Sequence, residues 1–92
     1  MRYSQKVTVI NKLGFHLRAV AELVKEAEKF KSTIKIKNNN RDIEADGKSI
    51  LGLLTLIVPQ GCEIEIKAEG PDAKEAVEQL VKIVQNKFGE KE

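Results

Sequence analysis

The residues with most to offer chemically lie in Gly14-Phe15-His16-Leu17-Arg18-Ala19, which carries the chain's only histidine and an arginine two positions later. Upstream, Val7, Val9 and Ile10 sit in a short β-like run, and downstream Leu17, Val20, Ala21, Val24 and Ala27 recur at helical spacing. Gly14 supplies the backbone freedom for the turn between them. His16 is therefore expected at or beside the helix cap, with unpaired backbone N–H groups just beyond it. A helix start of this kind receives anions, and Arg18 adds a charged fork suited to phosphate. A neutral imidazole beside such a cradle can accept a phosphoryl group.

Other chemistries for His16 lack partners. With no second histidine and a single cysteine, Cys62, a zinc site would rest on carboxylates. No metal or cofactor is expected. A Ser/His/Asp arrangement stays open because Ser4, Ser32 and Ser49 are all present, yet none lies in a nucleophile-elbow pattern and the chain leaves little room for a closed acyl-transfer pocket. Gly47-Lys48-Ser49 resembles the tail of a phosphate-binding P-loop, but Asp42 stands where the first glycine belongs. A helix cap and a modification site both remain open for Ser49.

Ile50, Leu51, Leu53, Leu54 and Leu56 cannot all face inward on a short helix. Either the surplus covers a sheet edge or it forms an apolar docking patch, shared with Leu17 or Phe15; the second is favoured because Ile50 and Leu51 follow Ser49 directly.

Composition narrows the classes further. Residues 1–92 make one domain with one modest core. Charged residues form 33% of the chain but the net charge is only +2, and aromatics reach 4%. Nucleic acid is not an expected partner: Lys35, Lys37 and Arg41 form no basic, aromatic-rich cluster. A single cysteine rules out an internal disulfide and suits a reducing compartment. No apolar run reaches the length of a membrane span, and Met1–Lys6 lacks the apolar centre of a signal peptide. The expected location is cytoplasmic, without membrane insertion.

The elements that must position His16 follow from hydrophobic spacing. Tyr3–Ile10 alternates as a half-buried strand, Leu17 to about Phe30 carries a helical stripe, and Thr33–Lys37 with Arg41–Glu44 reads as a hairpin about Asn38-Asn39-Asn40. A short helix follows Ser49 and ends before Pro59, Cys62–Glu69 is the clearest strand, and a helix opened by Gly70-Pro71-Asp72 carries apolar residues as far as Phe88. Gly89–Glu92 is expected to fray. Strands with one apolar and one charged face are covered on one side only, which predicts a two-layer α+β domain of order βαββαβα, its helices on one face of a mostly antiparallel sheet.

Two stretches also carry a resemblance. Asn11-Lys12-Leu13-Gly14-Phe15-His16-Leu17-Arg18 resembles the active-site signature of the histidine-containing phosphocarrier (HPr) family of the bacterial phosphoenolpyruvate-dependent sugar phosphotransferase system. Gly47-Lys48-Ser49-Ile50-Leu51-Gly52-Leu53-Leu54-Thr55-Leu56 is similar to that family's regulatory serine segment, and Ala68–Ala73 with Ala76–Leu80 to its closing helix. The resemblance implies an open-faced sandwich, a four-stranded antiparallel sheet with three helices on one side. It implies phosphorylation of His16 on Nδ1 by phosphorylated enzyme I, transfer to an enzyme IIA protein or domain, and assistance from Arg18. Ser49 would be the target of an ATP-dependent kinase, the HPr kinase/phosphorylase, with a transcriptional regulator as a further partner. Phe15, Leu17, Ile50, Leu51 and Leu54 would form the docking surface of a monomer. Two positions depart from the family: Ala19 stands where proline is usual, which should loosen the helix start, and Leu17 where a small residue is common. The competing reading is a regulatory or interaction domain in which His16 carries little flux.

Overall fold

Alternation along the central strands decides the layers. In the computed structural model, which describes residues 1–92, Ile34 and Ile36 of β2 (Thr33–Asn38) and Ile64, Ile66 and Ala68 of β4 (Glu63–Glu69) all point inward. The residues between them face water, where Lys67 Nζ meets Glu44 Oε1 at 2.9 Å. The other strands are β1 (Arg2–Thr8) and β3 (Ile43–Asp46), and the antiparallel sheet runs β1-β4-β2-β3. Ile66 lies opposite Gln5 of β1 on one side and Ile36 of β2 on the other, so β4 and β2 carry the centre of the sheet.

Three helices complete the fold: α1 (Leu17–Ala27), α2 (Ile50–Leu54) and α3 (Ala73–Gln85). Ala76, Val77, Leu80 and Val84 line the buried stripe of α3, which packs along β1 and β4, while α1 packs on α2 and α3. Each fully buried Leu or Val side chain contributes about 1.5–3 kcal/mol relative to exposure, so this layer fixes the position of α1. The order βαββαβα and the four-stranded sheet with three helices agree with the expectation from spacing.

Three local expectations are corrected. The helix from Leu17 ends at Ala27, because Lys29 and Phe30 N–H groups reach back only three residues, to Glu26 and Ala27 carbonyls. Asn38 opens the turn, accepting from Arg41 N–H on its carbonyl and from Asn40 N–H on Oδ1, but it is also the buried last residue of β2: its Nδ2 donates to the Leu56 carbonyl at 2.8 Å and the Ile57 carbonyl at 3.2 Å. The left-handed residue of that connection is Asp42, at φ 55°, and β3 begins after it. Phe88 is not on the apolar face of α3. The helix stops at Gln85, and Lys87 and Phe88 reverse the chain at φ 57° and 56° before Gly89 at 82°.

Candidate functional site

The loop between β1 and α1 is built on a glycine that no other residue can replace without a shift. Gly14 sits at φ +62°, and a Cβ there would come within 2.2 Å of the Val58 carbonyl oxygen. That close approach lets Phe15 N–H donate to the Val58 carbonyl at 2.9 Å, which anchors the residue before His16 to the segment after α2. Asn11, fully buried, closes the loop from within: its Nδ2 donates to the Gly14 carbonyl at 3.0 Å. His16 is then the N-cap of α1, with extended backbone (φ −84°, ψ 172°), and its carbonyl accepts the first helical bond from Val20.

Nothing in the chain caps this helix start. The His16 side chain makes no capping bond, and the N–H groups of Leu17, Arg18 and Ala19 have no backbone acceptor. Those donors, with the positive end of the helix, form an anion cradle beside the imidazole. Arg18 is exposed and makes no ion pair or hydrogen bond within the protein, so its guanidinium is available to a ligand. Lys12, His16, Leu17, Arg18, Glu90 and Lys91 border an open depression here.

Two residues to which the sequence assigns no role at the site, Asn11 and Glu90, complete it. Glu90 returns across the site: one carboxylate oxygen meets His16 Nε2, and the other accepts from Asn11 Nδ2 at 3.1 Å. Its side chain is 17% exposed and that of His16 27% exposed. Gly89–Glu92 therefore does not fray as expected; Lys12 also holds it, through its backbone N–H on the Glu92 carbonyl. Burial pushes the Glu90 carboxyl up, but hydrogen bonds from His16 and Asn11, with the charge of Arg18, hold it below the ordinary glutamate value. The ring's Nδ1 makes no hydrogen bond with the protein.

Ser49 caps α2, its Oγ accepting from Gly52 N–H at 3.0 Å. Of the expected docking residues, Leu17 and Leu51 are 62% and 77% exposed and Ile50 is exposed too, whereas Leu54 is half-buried against the core. Phe15 does not belong to that surface. It is 7% exposed and packs edge-on against Phe88. Leu13, Ile10 and Ile57 are further exposed apolar residues. No cluster of three or more metal-ligating side chains is present, and no helix is long and apolar enough to cross a membrane.

An open-faced sandwich that presents one half-exposed histidine at an uncapped helix start defines a narrow structural class. The family model for the PTS HPr component phosphorylation site matches residues 3–86. The phosphocarrier protein HPr of Cupriavidus necator is 41% identical over 85 residues, covering 92% of this chain and 93% of that one. Among solved structures, HPr-C-His from Thermoanaerobacter tengcongensis superposes with a TM-score of 0.90 at 37% identity, covering 98% of this chain and 99% of that one. Crh, a Bacillus subtilis catabolite repression protein crystallised as a swapped dimer, gives 0.73 at 38%, covering 89% and 92%. The chain belongs to the HPr phosphocarrier family of the phosphotransferase system.

Proposed function

We propose that His16 accepts a phosphoryl group on Nδ1 from phosphorylated enzyme I and passes it to an enzyme IIA protein or domain. One observation carries this reading: a solvent-accessible imidazole with a free Nδ1 stands at an uncapped helix start, beside the unpaired Arg18. In the step, the Nδ1 lone pair forms the new N–P bond while the donor's N–P bond breaks and its electron pair stays with the donor. The amide cradle and Arg18 offset the arriving negative charge. Transfer onward requires only that this hold be modest. The chain is a relay between partners and turns over no small molecule by itself.

The regulatory part of the proposal concerns Ser49, Oγ-phosphorylated by an ATP-dependent kinase. Such a phosphate adds about −1.5 to −2 charges at pH 7 beside Ile50 and Leu51, and weakens docking of acidic partners on the surface that Leu17, Ile50 and Leu51 share. The protein works as a cytoplasmic monomer. The deciding experiment is labelling from radioactive phosphoenolpyruvate with matched enzyme I. The parent takes up acid-labile label and His16→Ala takes up none; full labelling of His16→Ala overturns the reading.

A second reading, a regulatory module with little flux through His16, is favoured by the similarity to the catabolite repression protein Crh and by the exposed bulk of Leu17 next to the ring. Slow labelling combined with tight binding of a regulatory partner distinguishes it.

A further inference from the structure

We propose that Glu90 is a positioning residue for His16: its carboxylate accepts a hydrogen bond from Nε2–H, keeping the proton on that nitrogen, and so sets the tautomer that leaves the Nδ1 lone pair facing the cradle. The inference rests on His16 being the phosphoryl acceptor, and it concerns a residue outside the stretch that the family model matches.

A neutral imidazole has one N–H and one lone pair, and the partner of one nitrogen decides the role of the other. An ionised carboxylate only accepts. Placed on Nε2, it holds the proton there and leaves Nδ1 unprotonated. The orientation is fixed twice, since Asn11 Nδ2 binds the second carboxylate oxygen and the Gly14 carbonyl together. Asn11 Oδ1 is buried without a partner, so the amide is committed to this bridge at the expense of its own acceptor.

The route by which Glu90 arrives shows the same commitment. Lys87 and Phe88 both lie in the left-handed region, where non-glycine residues persist only if the surroundings enforce it. The enforcing contact is Phe88, buried with its ring 6.0 Å from that of Phe15. Phe15 and Phe88 are neighbours of His16 and of Gly89-Glu90, so one aromatic contact holds ring and carboxylate in register.

The arrangement also serves the transfer itself. When Nδ1 takes the phosphoryl group, the Nε2 proton stays and the ring becomes a phosphoimidazolium. Glu90 faces that new positive charge, and no proton has to leave or enter.

The test uses the full chain with the imidazole labelled in 15N. At a pH where the ring is neutral, the parent shows Nε2–H in large excess. Glu90→Ala moves the population toward Nδ1–H and slows labelling by enzyme I about tenfold, the equivalent of one hydrogen bond. Glu90→Gln, which still offers an acceptor oxygen, falls between the two. Unchanged tautomer populations in Glu90→Ala, with His16 still accepting phosphate, overturn the positioning role and leave the carrier reading standing. Label appearing in His16→Ala overturns the carrier reading instead.

Discussion

Phe88 presents its ring to Phe15 edge to face, with centroids 6.0 Å apart and planes at 80°. This pair joins the turn after α3 to the residue before the histidine, and Glu90 follows two residues later. Phe88→Ala should cost about 3 kcal/mol of stability, the usual range for removing a buried aromatic ring, read as a shift in the urea midpoint. It should also release Glu90. Phosphoryl acceptance then falls as far in Phe88→Ala as in Glu90→Ala, and the double variant is no worse than either. Additive losses would separate the two residues.

Gly14 tests the loop from the other side. A Cβ at φ +62° carries the left-handed penalty of roughly 1–2 kcal/mol, and here it also meets the Val58 carbonyl at 2.2 Å. Gly14→Ala should break the Phe15 N–H bond to that carbonyl. Hydrogen exchange at the Phe15 amide should rise well above the parent's, while amides in β4 keep their protection. Labelling slows because His16 no longer starts α1 at the same place.

Much of this site is legible in the amino-acid sequence. The switch from strand spacing to helical spacing across Gly14 located His16, and the turn residues before Ile50 located a helix that Ser49 does cap. The contribution of Glu90 was not legible for a physical reason. Lys87 to Glu92 has no hydrophobic period, and the contact it makes spans 74 residues of chain. Phe88 was misplaced for the opposite reason: it continues the spacing of α3 in sequence, and only the left-handed pair at Lys87 and Phe88 turns it away. Phe15 reads as a docking residue because it stands directly beside His16 in the sequence, yet it is buried. Its partner lies at the far end of the chain.

Ser49 couples a structural role to the proposed regulation. Its Oγ accepts from Gly52 N–H, so Ser49→Ala should lose about 1 kcal/mol, the typical worth of a cap. Ser49→Asp keeps an acceptor at the cap and adds negative charge at a helix start, where it is tolerated. The expected outcome is a stability near that of the parent together with weaker binding to enzyme I, measured by calorimetry on the two variants side by side. Equal affinity for parent and Ser49→Asp contradicts the switch.

Asp72 gives the fold an acid-sensitive clasp away from the site. It stands at the N-cap of α3 but makes no capping bond with its side chain. The carboxylate instead reaches the start of β2, accepting from Ser32 Oγ, from Ser32 N–H at 2.9 Å and from Lys31 N–H at 2.9 Å. These bonds, the Ser32 hydroxyl first and the Lys31 amide next, hold its carboxyl below the ordinary aspartate value. A depressed folded-state value means that the unfolded chain binds the proton more readily. The stabilisation is therefore complete above the unfolded-chain value, near 3.9, and disappears as pH falls through the lower folded-state value. Asp72→Asn should melt below the parent at neutral pH, and the gap should close in strongly acidic buffer. A gap that stays constant from neutral to acid would assign the effect to lost shape or packing and leave the charged clasp without a role.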